Sequence, residues 1–401
     1  MTSHLKVAIV GGGIGGVSAA LAVRRAGHEV VCFERSGELG ELGAGIQIGP
    51  NATRLLHRLG LSHALAAVAV EPVRLQIRRW STGKIIKEVD AGSRLAEIYG
   101  APYYTLHRAD LHRALIDAVP DGVIRPGHRC VGVDQDDDGV NLRFADGTDH
   151  RADIVIGADG LGSELRRLLH SGAPRFSRKA AWRVLVPAEA VAHLAEPPTT
   201  RMWLGPGKHV VCYPISAGRL LNLAAAVPAD GADTESWTRA GAVEEFAAAT
   251  AGWDPALHTI LSAATTTLRL PLFDRRPLEK TGLGRITLLG DAAHPMLPFF
   301  AQGAAQAIED AWVLGRSLEG VTAADAPDAL RRYERARHAR TATVQQRSIR
   351  NGDLFQLPDG IRQRARDAVM RRFTLSRFDW LYGYDADRAL ITGARPLGRS
   401  G

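Results

Sequence analysis

A glycine-rich turn stands near the start of the 401-residue sequence, between an apolar run and a helical pattern. Lys6–Val10 predicts a buried strand, residues 11–16 fit G-x-G-x-x-G, and residues 17–26 have the alanine-rich spacing of a helix. Glu29–Phe33 predicts a second strand. Because a strand, a helix and a strand in this order form a crossover unit, we expect a parallel sheet within an α/β fold.

Each glycine of the turn has a mechanical reason to be there. Gly11 permits a tight turn, Gly13 lets the backbone approach a pyrophosphate, and Gly16 lets the helix and strand pack closely. The amides that open the helix, with the positive end of its dipole, favour phosphate there. Glu34 ends the second strand, where an acid accepts a hydrogen bond from a ribose hydroxyl, although it is also compatible with an ordinary solvated carboxylate. The predicted dinucleotide-binding residues here are Gly11, Gly13, Ile14, Gly15, Gly16, Glu34 and Arg35.

The charge of the chain excludes some classes of partner. Lysine and arginine total 50 and aspartate and glutamate 43, a net charge of +7, but the basic residues are scattered singly or in pairs. We therefore expect no nucleic-acid partner, while a mildly positive surface is compatible with small anions. No apolar stretch reaches the ~20 residues of a membrane span, and no signal peptide is evident, so we expect a cytoplasmic protein without a membrane partner.

The three cysteines, Cys32, Cys130 and Cys212, lie in apolar, strand-like sequence without C-x-x-C spacing or a neighbouring histidine pair. We expect neither a disulfide framework nor a metal site. Cys32 and Cys130 have the character of small buried hydrophobes. Cys212 stands beside Tyr213, a candidate site residue, and is kept as a candidate for the substrate pocket.

The glycine turn does not distinguish FAD from NAD, and two further stretches bear on that choice. Residues 153–166 form a strand pattern that ends in Gly157-Ala158-Asp159-Gly160, and residues 285–310 form one that breaks at Gly290-Asp291 before His294-Pro295 and a helix. A carboxylate such as Asp291, directly after a buried strand, lies at the edge of a parallel sheet that binds ligands. A helix or turn cap is the alternative for Asp291, and a local turn beside Gly160 is the alternative for Asp159.

With these three motifs in this order, the sequence resembles the FAD-dependent aromatic hydroxylases, which are single-component flavoprotein monooxygenases. The resemblance spans nearly the whole chain and is greatest to the salicylate and hydroxynicotinate branch, through residues 43–51, 107–111 and 380–384. It implies that Asp291 hydrogen-bonds the FAD ribityl chain, that Pro295 lies near the flavin ring, and that Asp159 serves a surface shared by FAD and the nicotinamide cofactor. It also implies cofactor contacts from Gly45 and Arg108, although a surface arginine is the alternative for Arg108.

The segment after Pro295 is predicted to act on the flavin electrostatically. If Gly303 and Ala304 begin a helix whose open amides face the flavin pyrimidine edge, its positive end stabilises the charge of reduced flavin. The family commonly has glycine or asparagine where this chain has Ala305, so we expect its methyl group to narrow the approach to the flavin.

The family mechanism, implied by the resemblance, has NADH or NADPH reduce FAD and O2 add to give a C4a-hydroperoxide, which transfers oxygen to an electron-rich ring. The nicotinamide docks transiently, consistent with the lack of a second G-x-G-x-x-G at a strand–helix junction. Electrophilic transfer requires that a ring hydroxyl or amino group be polarised by a base or hydrogen-bond partner. The predicted substrate is a small aromatic compound.

Four residues are candidates for catalysis. Tyr213 is the first, although a core tyrosine is nearly as well supported; Arg183 has a planar fork suited to a carboxylate, or to a surface ion pair. Gln47 is a weaker candidate. Histidine is a residue type suited to act as a base near neutral pH, but the motif of His294 sets it against cofactor or core. The predicted pocket wall consists of Pro298, Phe299, Phe300 and Cys212.

These observations predict an α/β (mixed α+β) fold with a discontinuous Rossmann-like FAD-binding domain, an inserted mixed β-sheet substrate domain and C-terminal helices, in a monomer or homodimer. The predicted ranges are 1–72, 101–178 and 271–345 for the FAD-binding domain, 73–100 and 179–270 for the substrate domain, and 346–401 for the helical segment. Alternatives are a monooxygenase of larger polycyclic natural products, a flavin-dependent dehydrogenase or halogenase, and a non-catalytic sensor. The W-x-W-x-I-P pattern of the halogenases is absent.

Overall fold

The computed structural model describes residues 4–39, 44–170, 172–229 and 239–390, so residue 43 of the quoted motif and the end of the predicted helical segment lie outside it. In chain order the strands are β1 Lys6–Val10, β2 Glu29–Phe33, β3 Gly45–Ile48, β4 Arg74–Arg79, β5 Ile85–Asp90, β6 Tyr104–His107, β7 Ile124–Arg125, β8 Cys130–Gln135, β9 Val140–Phe144, β10 Asp149–Ala152, β11 Ile154–Gly157, β12 Arg175–Pro187, β13 Thr199–Gly205, β14 Lys208–Ile215, β15 Leu220–Pro228, β16 Arg239–Ala240, β17 Thr266–Asp274, β18 Gly282–Leu283 and β19 Ile286–Leu288. The α-helices are α1 Ile14–Arg25, α2 Pro50–Arg58, α3 Ser62–Val68, α4 Gly92–Tyr99, α5 Arg108–Asp117, α6 Glu164–Leu169, α7 Ala192–Ala195, α8 Val243–Ala249, α9 Pro255–Ser262, α10 Gly303–Leu318, α11 Ala326–Phe355, α12 Ile361–Arg371 and α13 Asp379–Tyr382.

A six-stranded sheet carries the glycine turn, in the order β18-β19-β11-β1-β2-β7. Neighbouring strands from β19 to β7 pair in parallel, which confirms the predicted parallel sheet, and only β18 pairs antiparallel at the edge. Helix α1 begins at Ile14, three residues before the predicted start, because Gly15 and Gly16 are themselves helical. The carboxyl ends of β1, β2, β11 and β19 therefore meet at one edge.

An eight-stranded mixed sheet forms the second layer, in the order β16-β17-β12-β15-β14-β13-β4-β5. Strands β4 and β13 run parallel, and the other neighbouring pairs in this sheet are antiparallel. One face packs its apolar side chains, including Trp182 and Trp203, against Phe246 of α8 and Leu257 of α9. The opposite face, which carries Tyr213, is called the cleft face below.

The helices near the carboxyl end differ in extent from their sequence patterns. The charged pattern at 331–350 is part of α11, which runs for 30 residues, because buried small residues continue on one face at both ends. The later part of the predicted helical segment at 346–401 contains α12 and α13 with a 3-10 turn between them, since the chain departs from helical geometry at Thr374. In the described part of the chain, no helix has the length and apolar character needed to cross a bilayer.

The two sheets draw on separated parts of the sequence. The eight-stranded sheet combines β4 and β5 with strands between Arg175 and Asp274. Two segments that are separated in sequence by β6 to β11 therefore form one layer. Helices α1, α2, α5, α10 and α11 pack with the parallel sheet in a single apolar core. We keep the division into an FAD-binding domain, a substrate domain and a helical segment as a proposal.

Candidate active site

A cavity of about 290 Å³ lies at the carboxyl ends of β1, β2 and β11. It brings together residues of the first two motifs, among them Gly11, Gly13, Glu34, Arg35 and Asp159. Gly11 has φ +111°, and a Cβ atom added there would lie 2.4 Å from the carbonyl oxygen of Ala158. The glycine is therefore required both by the backbone conformation and by the close approach of β11.

Two contacts hold the glycine turn in place. The amide of Gly12 donates to a Glu34 carboxylate oxygen at 2.7 Å, and the amide of Ser36 donates to the other at 2.9 Å. On the opposite side, Nε2 of His112 donates to the Gly12 carbonyl at 2.6 Å. Burial lowers the pKa of His112, which agrees with a neutral ring that donates through one nitrogen. His112 lies within an ordinary helical pattern, and no signal in the sequence identified it.

The carboxylate of Asp159 is used within its own loop. It accepts from the Ser163 hydroxyl and from the amides of Glu164 at 2.7 Å and Leu165 at 3.2 Å, and so caps α6. Burial raises the pKa of Asp159, and these hydrogen bonds oppose the rise. The geometry is that of a local cap, and a direct contact of Asp159 with either cofactor stays a prediction.

Arg166 joins the second motif to the third. Its guanidinium is buried and donates to the carbonyl oxygens of Ala292 at 2.9 Å and Ala293 at 2.8 Å. Burial lowers the pKa of Arg166 to about 10. Because these carbonyls follow Asp291 directly, Arg166 sets the position of the loop that carries this carboxylate.

Asp291 and Arg108 attract each other electrostatically, and both border an opening in the protein. Both side chains are exposed to solvent, yet surrounding protein raises the pKa of Asp291 and lowers that of Arg108, and each opposes the shift of the other. Side chains that reach solvent while surrounded by protein lie in a deep concavity. Arg183 also lowers the pKa of Arg108, so the side chain of Arg183 on the cleft face lies within electrostatic range of Arg108.

Helix α10 begins at Gly303, as predicted. Gln302 is its N-cap, the Gln302 side chain accepts from none of the opening amides, and no acid lies in the first turn. A Cβ atom at Gly303 would lie 3.9 Å from an oxygen of Asp291, so the start of α10 borders the same opening. The expectation for Ala305 is wrong: its side chain is fully buried in the core and does not line the approach.

A buried polar chain lies on the cleft face. Tyr213 hydrogen-bonds both Arg183 and Gln47, and the hydroxyl of Tyr103 donates to Oε1 of Gln47 at 2.5 Å. Burial raises the pKa of Tyr213 to about 12, against the influence of Arg183 and Gln47. Three of the four catalytic candidates are thus in one cluster, together with Tyr103, which sequence reasoning missed because it lies in a short segment without a motif.

Gly45 allows this cluster to form. A Cβ atom there would lie 2.5 Å from Cγ of Asn222 and 2.7 Å from Cε2 of Tyr213. The amide of Gly45 also donates to the side-chain oxygen of Asn222 at 2.7 Å, and Asn222 is the strand partner of Tyr213. In the structure Gly45 therefore supports the substrate side, while its predicted cofactor contact stays a prediction.

Comparison with known proteins gives three consistent matches. Residues 4–348 match the model of the FAD binding domain family. A 3-amino-4-hydroxybenzoate 2-monooxygenase of Streptomyces platensis is 44% identical over 388 residues, which cover 96% of this chain and 97% of that protein. A 6-hydroxynicotinate 3-monooxygenase of Bordetella bronchiseptica is 34% identical over 399 residues, which cover 98% of this chain and 99% of that protein. The chain belongs to the FAD-dependent aromatic hydroxylases.

A solved structure extends the likeness to the cofactor. Klebsiella pneumoniae HpxO, complexed with FAD and uric acid, is similar to this hydroxylase with a TM-score of 0.85 at 29% identity, over 99% of each chain. The predictions of an FAD-dependent monooxygenase and of FAD as its cofactor are confirmed. The residues present fit the dinucleotide, since the open amides of α1, the carboxylate of Glu34 and the Asp291–Arg108 opening supply sites for phosphate, ribose and a polar chain.

His294 lies outside the catalytic cluster of the hydroxylase, in the core surroundings that were the alternative to a catalytic role. Its Nε2 donates to Asp310 at 2.5 Å beneath α10, and Arg337 contacts the other oxygen of Asp310 at 2.6 Å. Burial alone raises the pKa of Asp310, but His294 and Arg337 hold it well below its usual range. His294 is therefore a member of a buried ion network, and we withdraw it as a candidate base.

Cys212 also differs from expectation. It is fully buried with Val210 and Leu223 on the face opposite Tyr213, because successive side chains of a strand alternate between faces. Burial raises the pKa of its thiol to about 12. Cys32 and Cys130 are likewise buried, as predicted. Cys212 is removed from the proposed pocket wall.

The three residues of the predicted pocket wall at 298–300 differ in burial and in neighbours, so they do not form one continuous surface. Phe299 is buried beside Ala226 and Leu297, Pro298 is exposed, and the half-buried Phe300 stacks on Trp380 at 5.7 Å between ring centroids. Helix α11 holds this loop: Gln345 donates to the Pro295 carbonyl at 2.9 Å, and Ser348 to the Leu297 carbonyl at 2.5 Å.

Proposed function

We propose that the hydroxylase acts on a benzoic acid that carries hydroxyl and amino groups, with 3-amino-4-hydroxybenzoate as the first candidate. The observation that carries this proposal is the Arg183–Tyr213–Gln47 cluster on the cleft face, which combines a guanidinium with a phenolic hydroxyl and an amide. The 44% identity to the Streptomyces monooxygenase over nearly the whole length of both chains supports the same substrate class.

FAD, when bound, would supply hydride acceptance from NADH or NADPH and the activation of O2. The residues that would hold it are those of the glycine turn with Glu34, and Asp291 with Arg108. Gly303 and Ala304, at the open start of α10, would place positive backbone charge beside it.

Tyr213 would polarise the substrate. With its pKa raised to about 12, its hydroxyl keeps its proton at neutral pH, so it donates a hydrogen bond to a substrate oxygen. Donation to the ring oxygen favours its anionic form, which enriches in electrons the ring carbons ortho and para to that oxygen. Gln47 is oriented for this by Tyr103.

Arg183 would orient the acid. Its side chain reaches Tyr213 and lies close enough to Arg108 to lower the pKa of that residue. A carboxylate placed between two guanidinium groups relieves their repulsion and forms charge-assisted hydrogen bonds. We infer that this pair sets the ring position presented for hydroxylation.

Product analysis tests the proposal directly. FAD-loaded protein is incubated with NADH or NADPH and labelled O2, separately with 3-amino-4-hydroxybenzoate, 4-hydroxybenzoate, 2-aminophenol, salicylate and 6-hydroxynicotinate. The expected result is one labelled hydroxyl and close coupling to dinucleotide oxidation for the first compound. Equal turnover of 2-aminophenol, which lacks the carboxylate, contradicts the role of Arg183. Failure of every ring compound to stimulate dinucleotide oxidation contradicts the proposed function.

A cytoplasmic location and a monomeric or homodimeric state also remain part of the proposal. Light scattering of the purified hydroxylase at several concentrations tests the oligomeric state.

A further inference from the structure

Three exposed arginines lie on the two segments that meet where Arg347 contacts Trp380. The guanidinium of Arg347 lies 3.7 Å from the centroid of the Trp380 ring, and Arg350 is one helical turn further along α11. Arg377 lies in the 3-10 turn that leads into α13 and Trp380. All three side chains are exposed. We call this set the arginine cluster.

The cluster differs from neighbouring arginines in its ion pairing. In the part of the chain that the structure describes, none of the three arginines forms an ion pair within 4 Å, whereas Arg340 nearby pairs with Glu309 at 2.9 Å. Asp379, beside Trp380, accepts a hydrogen bond from Tyr99 at 3.0 Å. Burial lowers the pKa of Arg347, and Arg377 and Arg350 lower it further.

Like charges held together repel, and an anion bound between them removes that cost. The fold maintains the arrangement through packing, since Arg347 is seated on the Trp380 ring. The arrangement is therefore suited to a small polyanion. Guanidinium groups bind phosphate oxygens through paired hydrogen bonds, and three of them match the two phosphates of a dinucleotide.

The cluster borders the loop that the resemblance assigns to the flavin ring. On α11, Ser348 and Asn351 donate to the carbonyls of Leu297 and Phe299. Phe300, the next residue of that loop, stacks on Trp380 with an interplanar angle of 26°. A ligand on the cluster would thus lie next to residues 295–300.

The sequence contains one G-x-G-x-x-G turn at a strand–helix junction, and that turn fits FAD. The pyridine dinucleotide must then dock on another surface. We propose that Arg347, Arg350 and Arg377 bind the diphosphate of the NADH or NADPH that reduces the flavin. This inference rests on the proposed function.

Anaerobic stopped-flow reduction tests it with Arg347→Gln, Arg350→Gln, Arg377→Gln and the triple variant. Loss of one charge-assisted contact is expected to raise the Kd of the dinucleotide about fivefold to tenfold, and the triple variant about a hundredfold or more, with the limiting reduction rate unchanged. The dependence of Kd on ionic strength falls in step with the number of arginines removed. Arg372→Gln, an exposed arginine at the end of α12, is the matched control and leaves Kd unchanged.

A second readout does not depend on turnover. Calorimetry with ADP-ribose, which has the diphosphate but no nicotinamide, is expected to show binding to the wild type and about tenfold weaker or no binding to the triple variant. Inorganic pyrophosphate competes with ADP-ribose for the wild-type site. FAD content and aromatic-acid affinity are measured on every variant, and both are expected to match the wild type.

Unchanged dinucleotide affinity in the triple variant overturns this site. Weakened binding of the aromatic acid, with the dinucleotide Kd unchanged, also overturns it and assigns the cluster to substrate entry. If the wild type itself is reduced by neither NADH nor NADPH, the proposed function fails. If NADH or NADPH reduces the wild type and the variants have the same dinucleotide Kd, the docking site is wrong but the proposed function stands.

Discussion

The hydroxyl of Tyr213 on β14 is hydrogen-bonded to the guanidinium of Arg183 on β12, across the strand that separates them. Ala224 of β15 is the strand partner of both Arg183 and Val211, and it occupies the position between them on the cleft face. Because the alanine side chain is short, the arginine can extend over β15 toward Tyr213. The geometry of the sheet thus places Arg183, the candidate for binding the substrate carboxylate, next to Tyr213, the candidate donor to the substrate oxygen.

Tyr213→Phe should lower hydroxylation by about a hundredfold, because it removes the donor that polarises the ring. Dinucleotide oxidation should continue and yield hydrogen peroxide, so the ratio of product to NADH consumed measures the loss. Since the pKa of Tyr213 is about 12, its ionisation should not contribute to the wild-type profile near neutral pH. Tyr104→Phe, at a tyrosine beside His57, is the control. Equal coupling in both variants would contradict the assigned role.

Gly16→Ala should abolish or severely weaken FAD retention. The added Cβ would lie 1.8 Å from the carbonyl oxygen of Gly11, so the turn and α1 must separate. Gly37→Ala is matched in chemistry, but nothing lies within 4 Å of its added Cβ. Flavin absorbance per mole of purified protein, with circular dichroism to check folding, distinguishes the two. A folded Gly16→Ala protein that is fully yellow would show that the turn does not bind the dinucleotide.

Ala304→Asp should slow flavin reduction about tenfold, and Ala304→Asn much less. Ala304 is in the first turn of α10, and a negative charge there offsets the positive end of the helix, an effect of up to about 2 kcal/mol. The asparagine variant has the same size without the charge. Rates are compared at saturating dinucleotide in the absence of O2, and unchanged rates in both variants would remove this electrostatic role.

His209 should make the hydroxylase lose stability as the pH falls. The ring packs edge-to-face with Phe299 and Phe355 at centroid distances of 5.2 and 5.5 Å. Burial, with a contribution from Lys179, lowers its pKa from 6.5 to about 3. Between these values the unfolded chain binds a proton that the folded chain excludes, so the stabilisation present above pH 6.5 is lost toward pH 3, at about 1.4 kcal/mol per pH unit.

Urea unfolding at several pH values tests this, with His209→Gln and the exposed His193→Gln compared. The slope of unfolding free energy against pH should decrease in His209→Gln and stay as in the wild type in His193→Gln. Parallel slopes for all three proteins would show that His209 is not the group responsible. The comparison uses slopes because the buried substitution is expected to lower stability at every pH.

Several features of this hydroxylase are determined by short stretches of sequence. Strands β1 and β2 have the predicted bounds, and α10 begins at the predicted Gly303, because apolar periodicity and glycine act over a few residues. The order of the three cofactor motifs is likewise a property of the chain alone. Family and cofactor could therefore be predicted before any distance was known.

The direction of individual side chains was decided only by the tertiary structure. Tyr213 and Cys212 are adjacent in sequence, yet they lie on opposite faces of β14, and which face borders the cleft depends on the packing of whole sheets. His294 turns to Asp310 because the interior places this carboxylate, paired with Arg337, beside it, and no local pattern reveals that arrangement. Arg183 contacts Tyr213, and Arg347 of the arginine cluster contacts Trp380, although these residues are far apart in sequence. These sites therefore exist only when the layers are assembled.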